Sequence, residues 1–210
     1  MIHPVSFDAV FFIKGGSCMN IKKDSVVRLV QKSMLLALAI VLMLIVRFPL
    51  LPAAKFLEYD LGDIPVIIAT LFFGIPSGVL ILIVEALVQS LTVSAESSWQ
   101  GFVMHVLSSA LFLLITYVFY RLGVKKGKQS VFLIIGLALS AVFTAAVMIP
   151  LNLIFTPMYL HVPVEAVKEL MLPVIIPFNL IKCAINAALS FMIFVPLEKI
   201  LKKSRLVSEN

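Results

Sequence analysis

Charge is scarce in this 210-residue sequence. Asp, Glu, Lys and Arg together make up 13% of it, against roughly 25% in soluble domains, which excludes an ordinary water-soluble fold. Cysteine is nearly absent as well. Cys18 and Cys183 are too few and too differently placed for a disulfide framework, and no Cys/His spacing resembles a zinc site, so no metal is expected. There is no Gly-x-x-x-x-Gly-Lys-Ser/Thr run to cradle nucleotide phosphates, and therefore no ATPase of its own. Paired acidic motifs and a Ser/His/Asp arrangement are also missing, so no catalytic residue is assigned. A membrane enzyme acting on a lipid or prenyl substrate is the competing class. The first eighteen residues lack the long apolar core of a secretory signal, and Gly15-Gly16-Ser17-Cys18 resembles a lipobox only in part. They read as an extension ahead of a functional start at Met19.

What the chain has in abundance is apolar sequence. Hydrophobic residues account for 61% of positions and the mean hydropathy is +1.12, values that predict an all-α integral membrane protein. Runs long enough to cross roughly 30 Å of hydrocarbon lie near Ser33–Leu51, Gln100–Tyr120, Ser130–Phe155 and Leu172–Leu197. The stretch Ile64–Val93 is too long for one ordinary span and short for two. Gly74-Ile75-Pro76-Ser77-Gly78 inside it predicts a tight hairpin between two short helices. Counting two spans there puts thirteen of the seventeen Lys and Arg on one side, with Arg47, Lys55 and Lys168 on the other and Lys182 in the membrane. That asymmetry predicts six transmembrane helices in a compact bundle with both termini cytoplasmic. The same clusters explain the net charge of +6 without nucleic acid as a partner. Residues 1–32 then form an extension and lead-in, 33–201 the membrane domain and 202–210 a cytoplasmic tail.

Lys182 is the most informative residue. A lone cation at membrane depth costs about 2.5 to 3.5 kcal/mol on insertion scales, so it points to a cavity or pathway. Asn179 lies one helical turn before it and Asn186 one turn after, which places two amides and an ammonium on a single stripe. Such a stripe suits a flat heterocycle bearing carbonyls and ring nitrogens, whereas Asn186 alone fits a helix–helix clamp better. Asn152, directly after Pro150 in the fifth span, is balanced between a ligand contact and a structural role. Glu85 and Gln89 sit one turn apart in the third span. An intramembrane carboxylate there could pair with Lys182, be protonated or carry protons. His105, near the outer end of the fourth span, reads as an interfacial or hydrogen-bonded histidine more than a ligand, and Asp63 as the cap of the second span.

The long connection from Phe48 to Asp63 mixes aromatics, prolines and acids, the composition of an ordered lid over an outward-facing pocket. Phe56, Leu57 and Tyr59 could cover an apolar ring, with the loop mobile until a ring is present. At the start of the first span Ser33 and Ala37 form a small-xxx-small pair that lets another helix approach closely.

Three segments together carry a resemblance. Leu57-Glu58-Tyr59-Asp60-Leu61-Gly62-Asp63-Ile64-Pro65, Phe72-Phe73-Gly74-Ile75-Pro76-Ser77-Gly78, and Pro177-Phe178-Asn179-Leu180-Ile181-Lys182 with Asn186 resemble the riboflavin-binding S components of energy-coupling factor (ECF) transporters. The likeness runs from about Lys32 to Lys199. It implies a substrate-capture subunit that binds a vitamin outside and works with a transmembrane coupling subunit and two cytoplasmic ATPases. These partners drive the S component to topple and release its cargo inward. By position, Asn152, Asn179 and Lys182 match residues that contact the flavin, and the loop carrying Leu57, Tyr59 and Asp60 closes the pocket. Ser33 and Ala37 match the surface that meets the coupling subunit, although the family more typically shows Ala-x-x-x-Ala there. Riboflavin is on this reading a transported substrate and not a cofactor, with FMN a second candidate. An S component for another vitamin is the alternative within the family.

Overall fold

The computed structural model describes residues 21–51, 57–94 and 98–208. The expected N-terminal extension and the loop residues Lys55 and Phe56 lie outside the described residues. Helix α1 (Ile21–Ile45) begins earlier than the apolar run and stops before Arg47, where Pro49 and the polar connection end helical pairing. Its inner face carries Ala39 and Met43, both fully buried, while Met34 and Ile45 stand 67% and 75% exposed, the pattern of a helix with one face toward lipid.

A two-stranded antiparallel ribbon follows, the one departure from an all-α chain among the described residues. Strand β1 (Arg47–Pro49) pairs with β2 (Glu58–Asp60) in the register Arg47↔Asp60, Phe48↔Tyr59, Pro49↔Glu58. The expected open connection is therefore a hairpin whose two ends are fixed to each other. Phe48 and Tyr59 meet edge-on at 5.7 Å between centroids, and Arg47 forms an ion pair with Glu58.

Helices α2 (Asp63–Phe73) and α3 (Ile75–Leu91) replace the ambiguous thirty-residue run, broken at Gly74 as its composition predicts. Gly74 has φ +87°, a left-handed value that a side chain would strain. At eleven residues α2 is only about 16 Å long, short of the roughly 20 residues a full crossing needs. It compensates by enclosure, since every residue from Asp63 to Phe72 is buried. α3 folds back on α2 so closely that a Cβ on Gly78 would lie 1.9 Å from Thr70 Oγ1. Gly78→Ala is therefore expected to force the pair apart and to destabilise the protein by about 1–3 kcal/mol. Thermal unfolding in detergent reads this directly, and an unchanged midpoint would mean that the close approach carries no stability.

The remaining helices are long. α4 (Ser98–Lys125) and α5 (Gln129–Leu160) form a pair joined by a turn at Gly127. After His161, the chain re-enters helix at Val164 following Pro163, earlier than the apolar pattern suggests. α6 (Val164–Leu170) runs through a π-helical turn, Met171–Ile175, into α7 (Ile176–Ser208), so the three act as one rod. The described residues thus give six helical rods. Four segments are long and apolar enough to cross a membrane: Ser25–Ile45, Trp99–Lys125, Gln129–Leu160 and Val164–Leu201. The largest buried cluster gathers residues of α1, α2, α3, α4, α5 and α7, with Phe72, Tyr120 and Phe194 among them. Its members Ile67, Phe112, Leu113 and Cys183 also border the polar space described next.

Candidate functional site

That space is a cavity with about 180 Å³ of water-accessible volume, on the order of ten times what a single water needs. It is ligand-sized. The hairpin contributes Arg47, Leu57, Glu58 and Asp60, and α2 contributes Asp63 and Ile67. Gly101, Met104, His105, Ser108, Ser109 and Phe112 come from one face of α4. Thr144, Met148, Asn152 and Tyr159 come from one face of α5, and Phe178, Asn179, Lys182 and Asn186 from α7. Apolar rings and thioethers share the wall with amides, hydroxyls and charges, which suits a ligand with one apolar and one hydrogen-bonding edge.

The predicted stripe on α7 faces this cavity, and the structure adds what holds each member. Asn179 donates from its amide to the Ile175 carbonyl at 2.8 Å, at the last residue of the π turn. Such turns recur at functional sites because they rotate the helix face that follows. Lys182 Nζ lies 3.5 Å from Asp63 Oδ2. Asn186 donates to that same oxygen at 3.1 Å and accepts from the Tyr59 hydroxyl at 2.8 Å, the clamp geometry anticipated for it. Asn152 donates to the Met148 carbonyl at 2.8 Å and accepts from Thr156 at 2.9 Å, so the amide is oriented by its own helix, between Pro150 and Pro157 of α5.

Three expectations are corrected. Asp63 does not cap α2: Gly62 occupies the cap position without a side-chain bond. The Asp63 carboxylate instead reaches Lys182, Asn186 and Ser109, the last at 3.0 Å. Its charge, with the hydrogen bonds from Asn186 and Ser109, offsets part of the desolvation cost of the cation on α7. Glu85 does not pair with Lys182. It contacts His105, 3.1 Å from its Nε2, which gives that histidine the hydrogen-bonded role expected of it. Tyr59 is 1% exposed and stands behind the wall, not on it. Burial pushes its phenol above the ordinary range, which keeps it a proton donor to Asn186.

The second half of the expected lid is also fixed. Asp60 accepts from the Gly62 amide at 2.9 Å and from Gln89 at 2.8 Å, and Arg47 donates to Ser94 at 3.2 Å. The hairpin is tied to α3 and to the connection that follows it. Ser33 and Ala37 are exposed on α1, which contributes no residue to the cavity wall.

Comparison with known proteins decides the family. Residues 27–194 match the family model described as "ECF transporter, substrate-specific component". The chain belongs to the substrate-specific components of ECF transporters. Its relatives include the riboflavin transporter FmnP of Bacillus subtilis, 31% identical over 89% of this chain and 97% of that protein. The riboflavin transporter RibU of Staphylococcus aureus is 30% identical over 91% of this chain and 100% of that protein. A solved S component of a bacterial ECF transporter superposes with a TM-score of 0.70 at 30% identity, covering 85% of this chain and 99% of that one. This S component is accordingly a multi-pass membrane protein, and its relatives are transporter components, not enzymes.

Proposed function

We propose that this S component captures riboflavin from the outer side of the cell membrane and releases it inward. On this reading a transmembrane coupling subunit and two cytoplasmic ATPases supply the work, since the chain carries no phosphate-binding loop. The observation that carries the proposal is the composition of one ligand-sized cavity. The amides of Asn152 and Asn179 and the ammonium of Lys182 share its wall with Phe112, Phe178 and Met104, and flavin has a dione edge for the first set and a dimethylbenzene edge for the second. Leu57 and Asp60 lie at the hairpin wall for the ribityl chain or ring, with Tyr59 and Asn186 holding the polar wall in place. Both termini are assigned to the cytoplasm, on the distribution of Lys and Arg. The hairpin then faces outward.

The names of the relatives support riboflavin over another vitamin. Calorimetric titration of the detergent-purified protein with riboflavin, FMN, biotin and thiamin tests this. Riboflavin is expected to bind with one-to-one stoichiometry, because one polar stripe faces one cavity. Heat with biotin or thiamin and none with riboflavin would reassign the vitamin, and silence with all four would overturn the riboflavin reading.

A further inference from the structure

The cavity's polar wall continues into a charged chain that ligand contact alone does not account for. Lys182 Nζ is 3.5 Å from Asp63 Oδ2, His105 Nε2 is 3.8 Å from Asp63 Oδ1, and the same nitrogen is 3.1 Å from Glu85 Oε2. Four helices supply one member each: α7, α2, α4 and α3. All four side chains are at most 18% exposed, and that of Glu85 is fully buried. Glu85 Oε1 is buried with no hydrogen-bond partner, so His105 is the group that satisfies this carboxyl among the described residues. Asp60, on β2, is the further acid that acts on both Lys182 and Glu85.

Asp63 therefore stands between two nitrogen bases. When the imidazole is neutral, the ammonium of Lys182 is the only full cation facing the Asp63 carboxylate among the described residues. The carboxylate offers the ammonium a full opposite charge and a flavin carbonyl only a dipole, so a flavin carbonyl competes poorly for Lys182. When the imidazole is protonated, the Asp63 charge is shared and the ammonium is freer to turn to the cavity. We propose that His105 is a positioning residue for flavin capture, setting through Asp63 how firmly the protein itself holds Lys182, so that capture is strongest when His105 carries a proton. The idea rests on the riboflavin reading. It adds to that reading a control of the ligand-binding cation.

Riboflavin affinity, followed by quenching of flavin fluorescence, should weaken several-fold from about pH 5.5 to about 8.5, the range in which histidine ordinarily changes charge. His105→Gln should bind with a flat profile at the weaker level of the wild type at high pH. A merely structural histidine would leave the two profiles parallel, and parallel profiles, flat ones included, overturn the proposal. Where His105→Gln yields no folded protein, the wild type supplies the measurement: calorimetry in buffers of different ionisation heat should show protons taken up with riboflavin. Proton release or no exchange overturns the proposal. Binding of a different vitamin and no riboflavin at any pH would instead remove the reading on which it stands, and the proposal with it.

Discussion

Lys182→Ala is expected to reduce riboflavin binding below detection, while Asn179→Ala weakens it within a measurable range. The two losses differ in kind. Removing the Asn179 amide leaves a polar ligand atom without a partner in a dry site, on the order of 1–3 kcal/mol. Removing Lys182 takes away the cation assigned to the ligand and also leaves Asp63, which is 5% exposed, without its ammonium partner, and breaking one side of a buried pair typically costs about 3–5 kcal/mol of stability. A lost signal could then reflect lost fold. The double variant Lys182→Ala with Asp63→Asn separates the effects, because it removes both charges: melting should recover toward that of the wild type while affinity stays lost. If the double variant bound riboflavin as tightly as the unaltered protein, Lys182 would be a structural cation balancing Asp63 and nothing more.

That same pair marks the limit of what the sequence makes legible. Periodicity on one helix is local, so the stripe of Asn179, Lys182 and Asn186 can be read from spacing alone. Gly74 and Pro76 break the thirty-residue run for reasons internal to it. Asp63 looks like a cap because its own neighbours resemble a helix start. Its actual partners are Ser109, 46 residues away, and Asn186, 123 residues away, and nothing in the chain announces them. The pairing of Glu85 with His105 is hidden for the same reason. The hairpin is a subtler case: Arg47-Phe48-Pro49 is too short to carry alternation, and its pairing with Glu58-Tyr59-Asp60 appears only when both ends are brought together above α2. Other cavity residues did leave a signal. Thr144, Met148, Asn152 and Tyr159 recur at intervals of four, four and seven, and Gly101, Met104, Ser108 and Phe112 at three, four and four, the spacing of a single helical face. With mostly small or apolar members, such faces cannot be told from core until the helices are assembled.

The second large effect is expected far from the cavity. Ala37→Leu should leave riboflavin affinity unchanged and abolish uptake in cells that carry the coupling subunit and ATPases. In membranes helices gain little from the hydrophobic effect between them, so association depends on close packing at small residues. Ser33 and Ala37 provide such a pair on the exposed side of α1, and three added carbons at the second position would hold a partner helix away. The binding half of the expectation follows from the placement of α1, which packs on α2 and α3 through Ala39 and Met43 and supplies nothing to the cavity wall. Serine in place of the more typical alanine at position 33 makes a gradation testable: Ser33→Ala should support uptake at least as well as the parent, and Ser33→Leu should block it as Ala37→Leu does. Uptake by Ala37→Leu at the parental rate, with the protein present in the membrane at the parental level, would remove this face of α1 from the coupling interface. It would leave the capture site on α7 and α5 untouched, because the two surfaces share no residue.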